Sequence, residues 1–433
     1  MEEKEWSKIE EIKQEGKEGE EIKLRGWVHR ERCTGKIAFI TLRDSTGIIQ
    51  CVFKEDSPGF EQAKDTKVES SVKITGEIKE DKRAPGGYEI KGKEFEHYHK
   101  AQKFPITEDP STSFLMDVRH LWLRSTKMNR MLKAREATIK YFREFFNEKD
   151  FHEAHPPLLT QAGVEGGSTL FDLEYFDDKA YLTQSSQLYL EAFITSLEKV
   201  FCIAPSFRAE KSRTSRHLTE YWHLEAEMAW YDNEDNMEFQ EEMISYVAQK
   251  IAEEKEDTLD KLGRKPEELK KIEKPFPKIS YTEAIEELQN RGMKIEWGED
   301  LGTGHEKALM EEREKPLIIY NFPKKIKPFY MPIADEEEGK ETVLCNDMLA
   351  PEGYGEIIGA SERIWDLDEL LRRLDEKGAD KEAYEWYIDL RKYGSVPHSG
   401  FGVGLERIIS WLFKRDHIRE TIGFPRMINR VYP

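Results

Sequence analysis

Residues 205–230 of this 433-residue chain, PSFRAEKSRTSRHLTEYWHLEAEMAW, constrain the fold more than any other stretch. They read as strand, basic loop, strand. On the first strand Arg208 and Glu210 share one face, where an arginine and a carboxylate can hold a phosphate beside an amine. The loop KSRTSRH is cationic and suits a triphosphate tail, and Tyr221 just beyond it suits stacking on a purine. Standing alone, the segment has an alternative: a surface hairpin with a solvated charged turn. Around it, strands and helices alternate without a regular βαβ rhythm. The chain has no G-x-x-x-x-G-K-[ST] loop and no G-x-G-x-x-G between strand and helix. A bound nucleotide would be held by neither device.

A second segment, HSGFGVGLERIISWLF at 398–413, is a glycine-rich strand leading into an amphipathic helix that starts near Leu405. Glycines allow close backbone approach. Arg407 sits in the first helical turn, beside backbone donors that favour anions. A third, DFHEAHPPLLTQAG, follows a helix predicted from about Lys127 to Lys149. Along that helix Met128, Met131, Leu132, Ile139, Phe142 and Phe146 form one apolar stripe of core type. The adjacent prolines lack backbone donors, which places the third segment at a sheet edge or an interface.

Residues 20–100 carry short β-rich runs, EIKLRGWVHR, KIAFITLRD, IIQCVF, SSVKITGEIKE and YEIKGKEFEHY, broken by turns. Their even spacing suggests a small closed barrel of OB type, with a small sandwich as the alternative. The expected organisation is a barrel domain at 1–103, a linker at 104–125 and a larger domain at 126–433. Within the last, residues 231–343 read as a charged, mixed insertion whose Glu-rich surface is solvated.

The formal net charge is −19, which keeps the chain soluble. It decides nothing about nucleic acid, because binding depends on the local field. The four cysteines, Cys33, Cys51, Cys202 and Cys345, form no C-x-x-C pair, so a zinc ribbon or disulfide framework is not expected. No apolar run is long enough to span a membrane, and MEEKEWSKIEE is not a secretory signal. The expected location is the cytoplasm, with no membrane partner.

FRAE…RHLTEYWHLE and GFGVGLER, in this order and spacing, resemble the signature motifs of the class II aminoacyl-tRNA synthetases, in the aspartate/asparagine/lysine branch. The resemblance spans the chain from GWVHR to the terminal FPR…VYP, and looks greatest to the asparagine enzymes of archaeal type. It implies an α+β chain: an N-terminal five-stranded OB-type barrel, then a catalytic domain with an antiparallel sheet flanked by helices. It also implies a homodimer built around the first motif, where Pro157 matches the motif proline and Asp150 replaces the usual glycine before Phe151. ATP and Mg²⁺ are the implied cofactors. By the same carry-over Arg208, Glu210 and Arg407 are catalytic. Arg208 grips the α-phosphate, His217 and Arg407 the γ-phosphate, and Tyr221 the adenine, with Arg216, Leu218, Glu356 and Gly404 completing the ATP site. Asp347 and Glu356, in CNDMLAPEGYGEIIG, match the magnesium carboxylates, and hard oxygen ligands beside a triphosphate suit that ion.

Aspartate enzymes of this branch resemble YLTQSSQLYLE but carry lysine where this chain has Leu190. A carboxylate buried without a cation is costly, so Leu190 favours a neutral substrate, L-asparagine. Glu225 matches a carboxylate that accepts the amide NH2 and repels aspartate. Arg363 matches the arginine on the side-chain carbonyl, and Glu165, Ser185 and Gln187 the α-amino contacts, with Ser399 and Gly400 in the same pocket. The branch usually has Gln where this chain has Glu362, which by strand alternation points away from Arg363. In the barrel Phe39 and Gln50 match the residues that stack on and read the central anticodon uridine, with Arg25, Trp27 and Arg43 as supports. The implied RNA partner is tRNA(Asn). The rival readings are a non-discriminating aspartyl enzyme, which Leu190 and Glu225 oppose; an asparagine synthetase-like paralogue, which would not need the barrel; and an inactive RNA-binding paralogue, which would have lost phosphate or magnesium ligands.

Overall fold

The computed structural model describes residues 6–84, 86–161, 163–164, 169–335 and 339–433. The chain forms two compact units, Met1–Met116 and Asp117–Pro433.

In the first unit β1 (Glu21–Thr34), β2 (Ile37–Arg43), β3 (Ile48–Lys54), β4 (Ser71–Glu80) and β5 (Tyr88–His99) close into a barrel, in the order β1-β2-β3-β5-β4. Alternation along β2 and β3 builds the barrel wall. Ala38, Ile40 and Leu42 of β2 and Ile49, Cys51 and Phe53 of β3 point inward, while Phe39, Thr41, Arg43 and Gln50 point outward. Closure removes the sheet edges that a sandwich would leave.

In the second unit α1 (Thr126–Glu148) begins at Ser125, whose Oγ accepts from the Met128 amide at 3.2 Å. Its stripe reaches the core: Phe142 and Phe146 are fully buried, and Phe146 stacks on Phe201 with centroids 4.4 Å apart. Truncating an aromatic in such a core costs about 3–5 kcal/mol. The turn after α1 puts Asp150 at φ 59°. That is the left-handed region where glycine is the usual residue, which accounts for the glycine common there.

The main sheet is built from β6 (His152–Glu153), β7 (Lys199–Phe207), β8 (Glu220–Ala229), β9 (Lys278–Ser280), β10 (Leu317–Tyr320), β11 (Cys345–Ala350), β12 (Gly355–Arg363) and β13 (His398–Gly404). Its order is β9-β10-β11-β12-β13-β8-β7-β6. The centre is antiparallel as expected, but each edge pair, β9 with β10 and β7 with β6, is parallel, so the sheet is mixed. Helices α2 (Gln187–Leu197), α3 (Asn233–Glu254), α4 (Thr303–Met310) and α5 (Leu405–Leu412) flank it. One sheet face is covered by the core that α1, α3 and α5 share with Leu224, Phe401 and Val403. The other carries polar groups such as Glu225, Glu227 and Arg363 at its centre, with separate apolar clusters to either side around Ile319 and Cys345 and around Val200 and Cys202.

The described residues of 231–343 are built into the second unit rather than left as solvated surface. They supply β9 and β10 to the sheet, and α3 buries Met243, Ile244, Val247 and Ile251 in the main core. The surface charge of this stretch masked an apolar stripe at helical spacing. Among the described residues no helix is long and apolar enough to cross a membrane.

Candidate active site

The β7–β8 hairpin stays in register from Lys199 opposite Met228 to Phe207 opposite Glu220. The Arg208 amide then donates to the Thr219 carbonyl at 3.0 Å, so the basic loop leaves and re-enters the sheet at one end. The glycine-rich β13 runs into α5 at that same end, with Gly404 opposite His223. Arg208, Glu210, Arg216, His217, Leu218, Tyr221, Glu356, Gly404 and Arg407 all line one cavity there. The Arg208 guanidinium lies 5.8 Å from the Tyr221 ring centroid and 4.0 Å from Glu210. Arg407 Nη1 reaches the Glu356 carboxylate at 3.1 Å and its carbonyl at 3.3 Å, and Arg216 Nη2 donates to that carbonyl at 3.3 Å. Burial and then Arg407 lower the His217 pKa, with Glu210 opposing. Burial alone would raise the Glu356 carboxyl, but Arg407, Lys327, Arg216 and Arg208 outweigh it and hold it at about 2. Such a wall of guanidinium groups is built for a polyanion.

A second cavity adjoins the first, because Arg208, His223, Glu356 and Gly402 line both. Ser185, Gln187, Glu225 and Arg363 line it too. Arg363 Nε donates to both Glu227 carboxylate oxygens, at 3.1 and 3.2 Å, Nη2 to one of them, and Nη1 to Ser361 Oγ at 2.6 Å. A guanidinium has five N–H donors, so one on each Nη remains for a ligand. Burial pushes the Glu227 carboxyl up, Arg363 pulls it down, and Glu191 and Glu225 add to the rise. Glu225 is engaged otherwise: it accepts from Ser185 Oγ and, at 2.7 Å, from the Ser186 amide.

Glu227 escaped the sequence reading, although alternation along β8 puts His223, Glu225 and Glu227 on one face and so signals it. Glu191 escaped it as well. This buried carboxylate accepts from Gln187 Nε2 at 3.0 Å and from the Tyr387 hydroxyl at 2.7 Å, and pairs with Arg391 and His398. It thereby fixes Gln187 at the cavity wall.

Some expected residues stand elsewhere. Leu190 does not face the cavity but packs fully buried among Ala154, Ile194, Val200, Cys202 and Ala229, since the α2 turn that aims Gln187 and Glu191 inward turns Leu190 into the core. Ser399 is one register step off. Gly400 faces Glu227, closely enough that a side chain there would collide with the carboxylate, while Ser399 shares the parity of the core residue Phe401. Glu362 points away, as alternation requires, toward the Asn233 end of α3. Glu165 lies outside the described residues.

Asp347 and Glu356 meet over Gly359, with Oδ1 and Oε1 3.7 and 3.5 Å from the point a Cβ there would occupy. Lys327, another residue not foreseen, donates to Asp347 Oδ2 at 2.7 Å. Burial raises Asp347 to about 6 against the pull of Lys327, and Glu356 adds to the rise. Two partly exposed carboxylates brought to one cavity wall are hard oxygen donors of the kind a magnesium ion takes.

On the barrel Thr41 pairs with Gln50 and Phe39 with Val52, so Phe39 and Gln50 are diagonal neighbours on the outer face. Trp27 pairs with Arg43, whose guanidinium sits 6.0 Å from the indole and forks onto Glu69 at 2.7 and 2.9 Å. Arg25 lies beside Trp6, 5.5 Å from its ring, and Gln50 Nε2 donates to Glu89 at 3.1 Å. A bulge after Val28 sets Arg30 opposite Thr41 and Arg32 opposite Phe39. These two arginines were not singled out from sequence, because only the bulge gives them that face.

Residues 111–428 match the family tRNA synthetases class II (D, K and N), and residues 22–98 match the OB-fold nucleic acid binding domain. The chain is 49% identical over 418 residues to an asparagine–tRNA ligase of Thermoplasma acidophilum, covering 96% of this chain and 97% of that one. It is 52% identical over 420 residues to that of Thermococcus kodakarensis, with the same coverage of 96% and 97%. Among solved structures it is similar to asparaginyl-tRNA synthetase from Pyrococcus horikoshii complexed with asparaginyl-adenylate, with TM-score 0.95 and 48% identity over 99% of this chain and 100% of that one. A putative aspartyl-tRNA synthetase from Leishmania major shares the fold at TM-score 0.86 with 25% identity, over 98% of this chain and 94% of that one.

Proposed function

We infer, from the premise that this chain belongs to the class II tRNA synthetases of the D, K and N type, that it activates L-asparagine with ATP and transfers it to tRNA(Asn). The observation that carries the site assignment is the junction of the two cavities at Arg208 and Glu356. A triphosphate in the first and an amino acid in the second would meet there.

The asparagine carboxylate attacks the α-phosphorus in line. A bond from carboxylate oxygen to phosphorus forms, the bond to the bridging oxygen of the β-phosphate breaks, and pyrophosphate leaves. Arg208, at the junction, stabilises the charge that builds on the α-phosphate. His217, Arg216 and Arg407 hold the γ-phosphate end, Tyr221 stacks on adenine, and Leu218, Glu210 and Gly404 complete the wall. A terminal ribose hydroxyl of the tRNA then attacks the adenylate carbonyl, and AMP leaves. No protein nucleophile is needed, and catalysis rests on positioning and electrostatics. Asp347 and Glu356 would hold magnesium, which supplies charge neutralisation on the triphosphate. The free hydrogens of Arg363 donate to the asparagine carbonyl, and the Glu225–Glu227 pair sets a negative field that suits an amide NH2 and repels a carboxylate.

The chain works as a homodimer around Pro157. A cytoplasmic location fits four free cysteines, three of them buried. The barrel grips the anticodon through Phe39 and Gln50. Amino-acid-dependent ATP–pyrophosphate exchange with asparagine, aspartate and lysine at equal concentrations tests the assignment. Exchange with asparagine alone is expected, and exchange with aspartate would revive the aspartyl reading. Phe39→Ala is expected to lower tRNA charging about 10- to 100-fold, the worth of one base stack, and to leave exchange nearly intact. Loss of both activities would mean that the barrel has another task.

A further inference from the structure

Arg216 of the basic loop is anchored at two points. Its Nη1 is ion-paired with Glu306, and its Nη2 donates to the Glu356 carbonyl at 3.3 Å. Glu306 comes from α4, 90 residues further along the chain, in the stretch whose acidic residues read as solvated surface. Its side chain is 11% exposed. Gly355, at φ 72°, lies against this pair, and a side chain there would collide with both partners. Burial raises the Glu306 carboxyl, and Arg216 pulls it back. Arg216 is the cation in direct contact with this carboxylate, and Arg407 adds to its pull from further off.

We propose that Glu306 is a positioning residue for the triphosphate: it fixes the Arg216 guanidinium in the orientation that binds the γ-phosphate and the departing pyrophosphate. The proposal rests on the reading that the first cavity takes ATP. Arg216 alone is a long side chain in a loop, and ordering it as ligand binds costs affinity. With Nη1 and Nη2 tied to α4 and β12, that cost is met in advance. The Nε–H, buried and without a partner among the described residues, and the second hydrogens of both Nη groups remain for phosphate oxygens. The asparagine side of the tract is untouched, since Glu306 and Arg216 do not line the second cavity.

The test is exchange kinetics on the full chain with separate KM values for ATP, pyrophosphate and asparagine, and a melting curve for each variant. Glu306→Ala is expected to raise KM for ATP and for pyrophosphate about tenfold, the worth of one charge-assisted contact, with KM for asparagine unchanged. Glu306→Gln, which keeps shape and one acceptor, is expected to raise both about threefold, and it carries the test if the alanine variant does not fold. Arg216→Ala with Glu306→Ala is expected to be no worse than Arg216→Ala alone, because Glu306 acts only through Arg216. Additive losses, an equal rise in KM for asparagine, or tighter ATP binding in Glu306→Ala would each overturn the proposal. Tighter binding would show that the carboxylate competes with phosphate. An active wild-type enzyme with an unchanged Glu306→Ala variant ends this proposal alone, whereas a wild-type chain silent with every amino acid ends the ATP reading and the proposal together.

Discussion

Arg208→Ala is expected to lower asparagine-dependent ATP–pyrophosphate exchange by about a thousandfold or more, the loss seen when a preorganised donor to a developing oxyanion is removed. Among the described residues Arg208 is the one guanidinium that lines both cavities. In-line attack piles charge on the oxygens of the α-phosphate midway between two substrates, and only a cation at that junction serves the transition state more than either ground state. The side chain is 29% exposed, and a melting curve of the variant separates any loss of fold from the loss of chemistry. The effect should fall on kcat more than on KM for asparagine. Arg208→Lys is expected to recover only part of the loss, because an ammonium lacks the planar fork that spans two phosphate oxygens. Exchange near wild type in Arg208→Ala would remove the α-phosphate from this position and with it the order of the two subsites.

Local pattern made the barrel and the β7–β8 hairpin legible, since period-two alternation and turn residues are written in consecutive positions. Local pattern also marked the arginines and glycines near the strand ends of the first cavity, whereas His217, Leu218 and Glu356 were marked only by the family resemblance. Contacts across long sequence separations were not. Glu306 meets Arg216 across 90 residues, and His398 meets Glu191 across 207. No periodicity in either segment marks such a partner. Leu190 shows another limit: residues next to each other on a helix, such as Leu190 and Glu191, diverge by about 100° around its axis, so one enters a core and the other a polar network. The stretch 231–343 misled because charge density on the outer face of α3 drew attention from Met243, Ile244, Val247 and Ile251 beneath it. Glu227 is different, for alternation along β8 did announce it.

That residue makes Arg363 the other decisive position. Arg363→Ala is expected to remove asparagine-dependent exchange by about 100- to 1,000-fold and also to destabilise the fold by about 3–5 kcal/mol, the cost of leaving one member of a buried ion pair alone. The two effects have separate origins and can be separated. The stability loss comes from Glu227, whose carboxylate is 1% exposed and keeps no other strong cation at hydrogen-bond distance among the described residues. Removing both side chains, Arg363→Ala with Glu227→Ala, should return much of the stability, because the stranded charge has gone. It should return none of the activity, because the substrate carbonyl still lacks its donors. Glu227→Gln then asks what the carboxylate does for selectivity. It keeps volume and gives Arg363 one acceptor, but it removes a negative charge facing the substrate side chain. Asparagine should lose modestly, aspartate should gain, and the ratio of their kcat/KM values should fall about tenfold or more, about 1.4 kcal/mol of discrimination. Wild-type KM for asparagine in Arg363→Ala would mean that the substrate side chain is held elsewhere. An unchanged ratio in Glu227→Gln would hand the repulsion to Glu225, which the Ser185 and Ser186 donors keep in place on the same strand face.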